Sequence, residues 1–529
     1  MIFTVSAFPL DEAPWLPVLW TQAARAAGED LPPLVGLRTL LARSHEISAL
    51  AITEPPAHSA VLRPLYALAG RVCGLDEDAD ASGVDWSDRR LEILDAGRMP
   101  ADGITAYFDS WAHRMDLFGE RPWMQDPRLA GQCDLTRSAG VNKLVATRPS
   151  GNNHAWFTHV QDSEPDPVPA GEAALSLLTW HYYGPSGRGS ARTVGGTSSA
   201  NMKAGPLRGA LSYHPQGSTL FETLLAGLLR PEPQVRRTRD RCMWEWEELA
   251  DPDAPPPAVQ GPCSRLTAVS QHALLLIPDP GDRKVVTDAL ITWAYRDGRL
   301  PRDDPFLIWQ ISQQGNPYPR PADSGRALWR DIDSLLLRNP GGAAQARRPE
   351  VVSHAQEVSD ALARPLAVRA FGFEQDGQAK DRQFVTGLTP PVLDRSEERN
   401  AATAPAVGRL RRTGELYGRR VEYAVRRACQ LYTRESRAKE ADSWTERAAA
   451  LYWPEAEREF WSQFEALDTT GALLVEAGLD RDAVRRAFLR IAERAYASVT
   501  ELVCHTQRGA RAVADARTEL YGGNRRPRS

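Results

Sequence analysis

Proline punctuates this 529-residue chain up to about residue 395 and then nearly stops, with only Pro405, Pro454 and Pro527 beyond that point. A proline inside a helix removes a hydrogen bond and clashes with the preceding turn, so dense prolines exclude long helices and their loss permits them. The chain therefore reads in two parts. In the first, short apolar runs alternate with turn clusters, as in HALLLIPDPGD (272–282) and DPFLIWQISQQGNPYP (304–319), which is the pattern of strands joined by irregular loops. Helical spacing is interspersed over 104–118, 219–229 and 42–73, the last with a break expected at Pro55-Pro56. In the second part four amphipathic segments follow one another: 406–436, 444–467, 481–507 with Asp480 as its cap, and 510–522 ended by Gly522-Gly523. Short links between them predict an antiparallel bundle. The expected fold class is α+β, with a large mixed α/β domain of many loops over 1–395 followed by a C-terminal four-helix bundle over 396–529.

A hydrophobic share of 42% and a charged share of 25% are ordinary for a globular chain and argue against disorder or a disulfide scaffold. Lys and Arg number 64 against 68 Asp and Glu, so any nucleic-acid binding must come from a local basic surface or be shared with partners. The six cysteines form no C-x-x-C pair, which gives no zinc signature and fits a reducing cytoplasm. The N-terminal stretch is apolar but has no basic flank and carries Asp11 and Glu12, so no signal peptide is expected. No run reaches the roughly 18 apolar residues of a membrane span, and a cytoplasmic location follows as the expectation.

Motifs of catalysis are missing: there is no Walker phosphate loop, no G-x-S-x-G elbow and no H-E-x-x-H pair. The acidic stretch around 76–82 is the one place for a loop-built, metal-dependent nuclease site, though a solvated loop explains it more simply. His154 and His159 lack a third ligand. No catalytic residue, metal or cofactor is expected.

Three features point to nucleic acid instead. Residues 401–440 hold ten basic against four acidic side chains, and Arg420, Arg427 and Arg434 recur at seven, on one helix face. Such a stripe can follow phosphates, although a solvated face with pairs such as Glu415–Arg419 accounts for it equally well. The segment 193–209 combines Gly195, Gly196 and Thr197 with Asn201, Lys203 and Arg208: small residues for close approach, then donors and cations. In 372–383, Gln378 sits between Gly377 and Ala379 with Lys380 and Arg382 nearby, one amide at what reads as a hairpin tip.

Taken in chain order, the sequence resembles the CasA family, the large subunit of the type I-E CRISPR surveillance complex Cascade. The resemblance is carried by DEAPWLPV (11–18), RPWMQ (121–125), NKLVATRPSGNNHAWFTH (142–159), the glycine segment running into AGPLRGALSYHPQGSTLFETLLAGLL (204–229), and the closing helices. It implies a non-catalytic subunit that recognises a protospacer-adjacent motif (PAM) in double-stranded DNA. Such a subunit promotes opening of the duplex for guide-RNA pairing (R-loop formation), holds the displaced strand and recruits a helicase-nuclease. Its implied partners are the Cascade backbone and small subunits, the guide CRISPR RNA and target DNA, with no membrane. By position, the resemblance assigns PAM contacts to Gly195, Gly196, Thr197, Asn201 and Lys203, with Gln260 or Arg265 standing where the family carries a lysine. It assigns a duplex wedge to Gly377, Gln378 and Ala379, and the guide's 5′ end to Phe157 with Asn152 and Asn153. Backbone contacts fall to Arg420, Arg427, Arg434, Lys380 and Arg382. A purely structural scaffold subunit is the remaining alternative.

Overall fold

The computed structural model describes residues 8–28, 30–79, 83–150, 163–300, 303–338, 346–376, 380–401, 403–434, 439–467 and 481–523. Two compact units result: Met1–Ser324 with Pro349–Pro391, and Gly325–Arg348 with Val392–Ser529. No helix among the described residues is long and apolar enough to cross a membrane.

The first unit is built around the helix Pro55–Val72, all of whose residues are buried. Pro55 and Pro56, expected to break a helix, instead start it, because the first turn has no use for their missing N–H groups. The residues just before, Ile47–Leu50, are a strand. Two charges on this buried helix are matched. Arg63 meets Asp304 at 2.6 and 3.1 Å, while Arg71 meets Asp76 and both oxygens of Glu245. Small antiparallel sheets surround it. One has the order Lys380–Leu388, Ala367–Asp376, Leu211–Gln216; another Val168–Pro169, Val285–Trp293, His272–Pro278. Two-stranded hairpins form from Gly187–Val194 with Thr197–Met202, and from Trp309–Ile311 with Pro317–Pro319.

The second unit contains the helices Thr403–Thr433, Glu440–Glu465, Arg481–Thr500 and Gln507–Arg517, in agreement with the expected α+β class and closing bundle. Asp480 lies outside the described residues. The single boundary expected at 395/396 differs from what is found, since Gly325–Arg348 belongs with the bundle. Chemistry explains the difference. Trp329, fully buried, stacks on Phe460 with centroids 5.0 Å apart and occupies the space that a side chain at Gly414 would need. Beside it Glu415 is 3% exposed and takes Arg330 at 2.8 Å, Arg326 at 3.4 Å and Arg419 at 2.7 Å. Burial alone would raise the Glu415 carboxyl, but the Arg330 hydrogen bond and the neighbouring guanidinia bring it down to about 2.

Candidate nucleic-acid interface

Val194 pairs with Thr197 across the first hairpin, leaving only Gly195 and Gly196 in its turn. Their φ angles are +56° and +76°, so both sit in the left-handed region and make the two-residue turn whose twist suits a hairpin. The segment expected to be a loop is thus two strands and a tight tip. Thr197, expected within the loop, is the first residue of the returning strand. Gly195, Gly196, Thr197 and Ser198 are exposed.

The base of this hairpin is clamped. Arg192, fully buried, donates to Asp126 Oδ2 and Gln132 Oε1, both at 2.8 Å, and to Trp293 O at 3.1 Å. Its guanidinium lies 5.2 Å from the Trp293 ring centroid, and that of Arg296 lies 4.9 Å from the same ring. Arg296 also holds Asp253 at 2.7 Å and the Val194 carbonyl at 3.2 Å, while Trp293 Nε1 donates to Ser199 O at 3.0 Å. Burial works against the Asp126 anion, yet hydrogen bonds from Arg128 and the charge of Arg192 keep its carboxyl below the ordinary range. Sequence reasoning missed Arg192, Trp293 and Arg296, because the partners that make them a clamp are up to about a hundred residues apart. Removing Arg296 is expected to loosen the tip without unfolding the unit. Arg296→Ala should raise amide exchange of Gly195–Gly196 while leaving His272–Pro278 protected, as read by hydrogen exchange.

Next to the hairpin opens a cleft of about 780 Å³. Lys203, from the end of the hairpin, lines it together with Arg265 and with Gln375, two residues before Gly377. Three separately predicted segments therefore border one cavity. Arg265, expected with Gln260 as a stand-in for the family's lysine, is engaged: its fork meets Glu350 at 3.0 and 2.7 Å and Asp303 at 3.3 Å. Burial disfavours its charge, and the Glu350 contact more than restores it. Gln260 is exposed just before the helix Pro262–Thr267, with its backbone N–H on Ser264 Oγ at 2.8 Å. Asn201 is exposed as well.

The second hairpin pairs Ala367–Asp376 with Lys380–Leu388, the last pair being Asp376 with Lys380. Gly377, Gln378 and Ala379, between those strands in sequence, lie outside the described residues. Asn152, Asn153 and Phe157, and with them His154 and His159, also lie outside them. Arg382 is exposed and makes one ion pair, with Glu374 at 3.4 Å, of a kind worth little in water.

The arginine stripe does not survive as an open track. Arg420 donates to Leu520 O at 3.3 Å and Arg427 meets Glu519 at 3.4 Å, so both reach the turn Thr518–Tyr521. Arg434 follows the helix end at Thr433 with φ +63°, so the seven-residue spacing no longer places it on their face. The acidic stretch is likewise taken up by arginines. Asp76 meets Arg71 and Arg237, and Asp78 meets Arg230 at 2.7 Å. Among the described residues no group of three or more His, Cys, Asp or Glu could hold a metal ion.

Comparison with known proteins agrees with this architecture. The family model for CRISPR-associated protein Cse1 matches residues 10–495. A CasA/Cse1 protein of Thermus thermophilus is 25% identical over 410 residues, 76% of this chain and 75% of the relative. A chain from a solved CRISPR RNA-guided surveillance complex is 36% identical with a TM-score of 0.83, covering 98% of this chain and all of the other. The Cse1 crystal structure from Thermobifida fusca shares the fold at a TM-score of 0.74 over 98% of both chains, at 19% identity. This chain belongs to the CRISPR-associated Cse1 family, the CasA large subunit of type I-E Cascade.

Proposed function

We propose that this subunit, working in the cytoplasm within a Cascade complex, inspects duplex DNA for a PAM and starts strand separation beside it. It does so without a catalytic centre of its own. The observation that carries the reading is the shared cleft, which brings the base of the glycine hairpin (Lys203) and the strand leading to Gln378 (Gln375) to one cavity. A tip of two glycines has no Cβ to keep it off a groove floor. The minor groove it would enter separates mainly A·T from G·C pairs, so recognition is permissive, with several related motifs accepted. In this reading Asn201, Lys203 and Gln260, all exposed, add contacts, while Arg265 holds Glu350.

The wedge role belongs to Gln378 with Gly377 and Ala379, flanked by Lys380 and Arg382 for the DNA backbone. Entering a base step costs a few kcal/mol. Exchange of duplex for RNA–DNA heteroduplex is nearly balanced, so a modest local bias at the motif decides whether opening begins. Phe157, Asn152 and Asn153 complete the reading at the 5′ end of the guide RNA. The Cascade backbone and small subunits, the displaced strand and a recruited helicase-nuclease are the further partners. Arg420 and Arg427 act first within their own unit.

In the assembled complex, Gln378→Ala is expected to slow strand opening about tenfold or more while changing initial duplex binding little. Opening kinetics by fluorescent base analogue, set against binding by filter retention, checks this. Equal losses in both would remove the wedge assignment. The nuclease reading is weakened, because Asp76 pairs with Arg71 and Arg237 and Asp78 with Arg230.

A further inference from the structure

The cleft holds more chemistry than duplex reading requires. Among the residues lining it are five cations and two carboxylates, Asp303 and Asp304; with Glu350 and Asp297, which two of those cations hold, the surplus is one positive charge. Four of the cations are already placed. Arg63 holds Asp304, Arg265 holds Glu350, Arg208 donates to Tyr183 O at 2.8 Å, and Arg299 grips both oxygens of Asp297. The fifth, Lys203, is exposed; its charge acts on nearby Asp297, and it makes no direct ion pair or hydrogen bond among the described residues. On the wall formed by the hairpin Trp309–Ile311 and Pro317–Pro319 stands Tyr318, an aromatic ring left 39% exposed. The amides of Gln271 and Gln375 also line the cleft.

An exposed aromatic plane, an exposed ammonium and nearby amides together suit a nucleotide taken out of its stack. The base lies on the ring, its edge meets an amide, and its phosphate meets the cation. A volume of about 780 Å³ is in the range of sites that enclose a group of this size. A fully paired duplex offers no free base face and would leave Tyr318 unused.

We propose that the cleft receives an unpaired DNA nucleotide from the opened end of the duplex, its base stacked on Tyr318 and its phosphate on Lys203. This deepens the function proposed above and rests on it for the source of the unpaired nucleotide. Trapping that nucleotide would oppose re-annealing once the wedge has acted.

The test uses the assembled complex and DNA with a preformed bubble beside the motif, so that no wedge action is needed. The fluorescent base 2-aminopurine is placed in one strand of the bubble or the other. Binding is expected to quench emission from one strand, which identifies the source. Tyr318→Ala should keep that strand bright and weaken bubble binding about tenfold, the usual effect of losing one base–aromatic stack. Tyr318→Phe should behave as wild type, and Lys203→Gln should lower the salt slope of bubble binding by about 1. Wild-type quenching retained in Tyr318→Ala, or quenching seen only when the probe is in the guide RNA, would overturn the proposal. Motif preference on intact duplex is measured alongside. Its absence in wild type sinks the proposed function and leaves the bubble result readable by itself.

Discussion

Glu415→Gln is expected to destabilise the helical unit by about 3 kcal/mol. The carboxylate is 3% exposed on the helix Thr403–Thr433 and faces Arg330, Arg326, Arg411 and Arg419. Neutralising it leaves several cations converging on a group that no longer attracts them, in a place where water screens poorly. Protection of that helix against hydrogen exchange should fall about a hundredfold, with the strand His272–Pro278 unaffected. The pH dependence has a definite sign. The folded carboxyl titrates near 2, below its ordinary 4.5, so its contribution is complete above about pH 4.5. It is lost as the pH falls from there toward 2. Wild type and variant should converge in acid, and parallel curves would refute the assignment.

Gly196→Val, alone or with Gly195→Val, is expected to abolish discrimination between PAM sequences. Both glycines hold left-handed φ values, which cost an ordinary side chain roughly 1–2 kcal/mol and a β-branched one more. The turn must open or shift, and an added isopropyl group would stand where the groove floor should be. Because Arg192, Trp293 and Arg296 hold the strands from below, the rest of the hairpin should persist and the damage stay at the tip. Binding selections from a randomised-motif library measure the effect. Discrimination that survives in the double variant would mean the tip is not the reader.

The bundle was legible because three of its four helices carry the helical period over twenty residues or more and few prolines interrupt it. Its fifth component, the 325–348 segment, was not legible. Trp329 takes its place through Gly414, Trp453 and Phe460, which follow it at a distance no local pattern registers. The glycine segment was read as a loop, and it is a hairpin. Its strands contain Gly, Ser, Ala and Asn, poor strand formers locally, and pairing with the clamp on Trp293 imposes the extended state. Pro55-Pro56 misled in the opposite sense, since a proline pair can begin a helix as readily as end one. The arginine spacing was real, but Glu519 and Leu520, which use two of its members, lie roughly a hundred residues away. Apart from the proline pair, each miss is a case of tertiary partners overriding local signals.

The polypeptide passes from the first unit into the second at Gly325, returns at Pro349 and leaves again at Val392. During synthesis the strands Ala367–Asp376 and Lys380–Leu388, which complete a sheet with Leu211–Gln216, emerge only after 325–348 has already left the ribosome. That stretch must then wait, its indole uncovered and Arg330 without its carboxylate, until the helix bearing Gly414 and Glu415 is made. A chain terminated between the two regions would leave an apolar, basic segment without the helix it packs on.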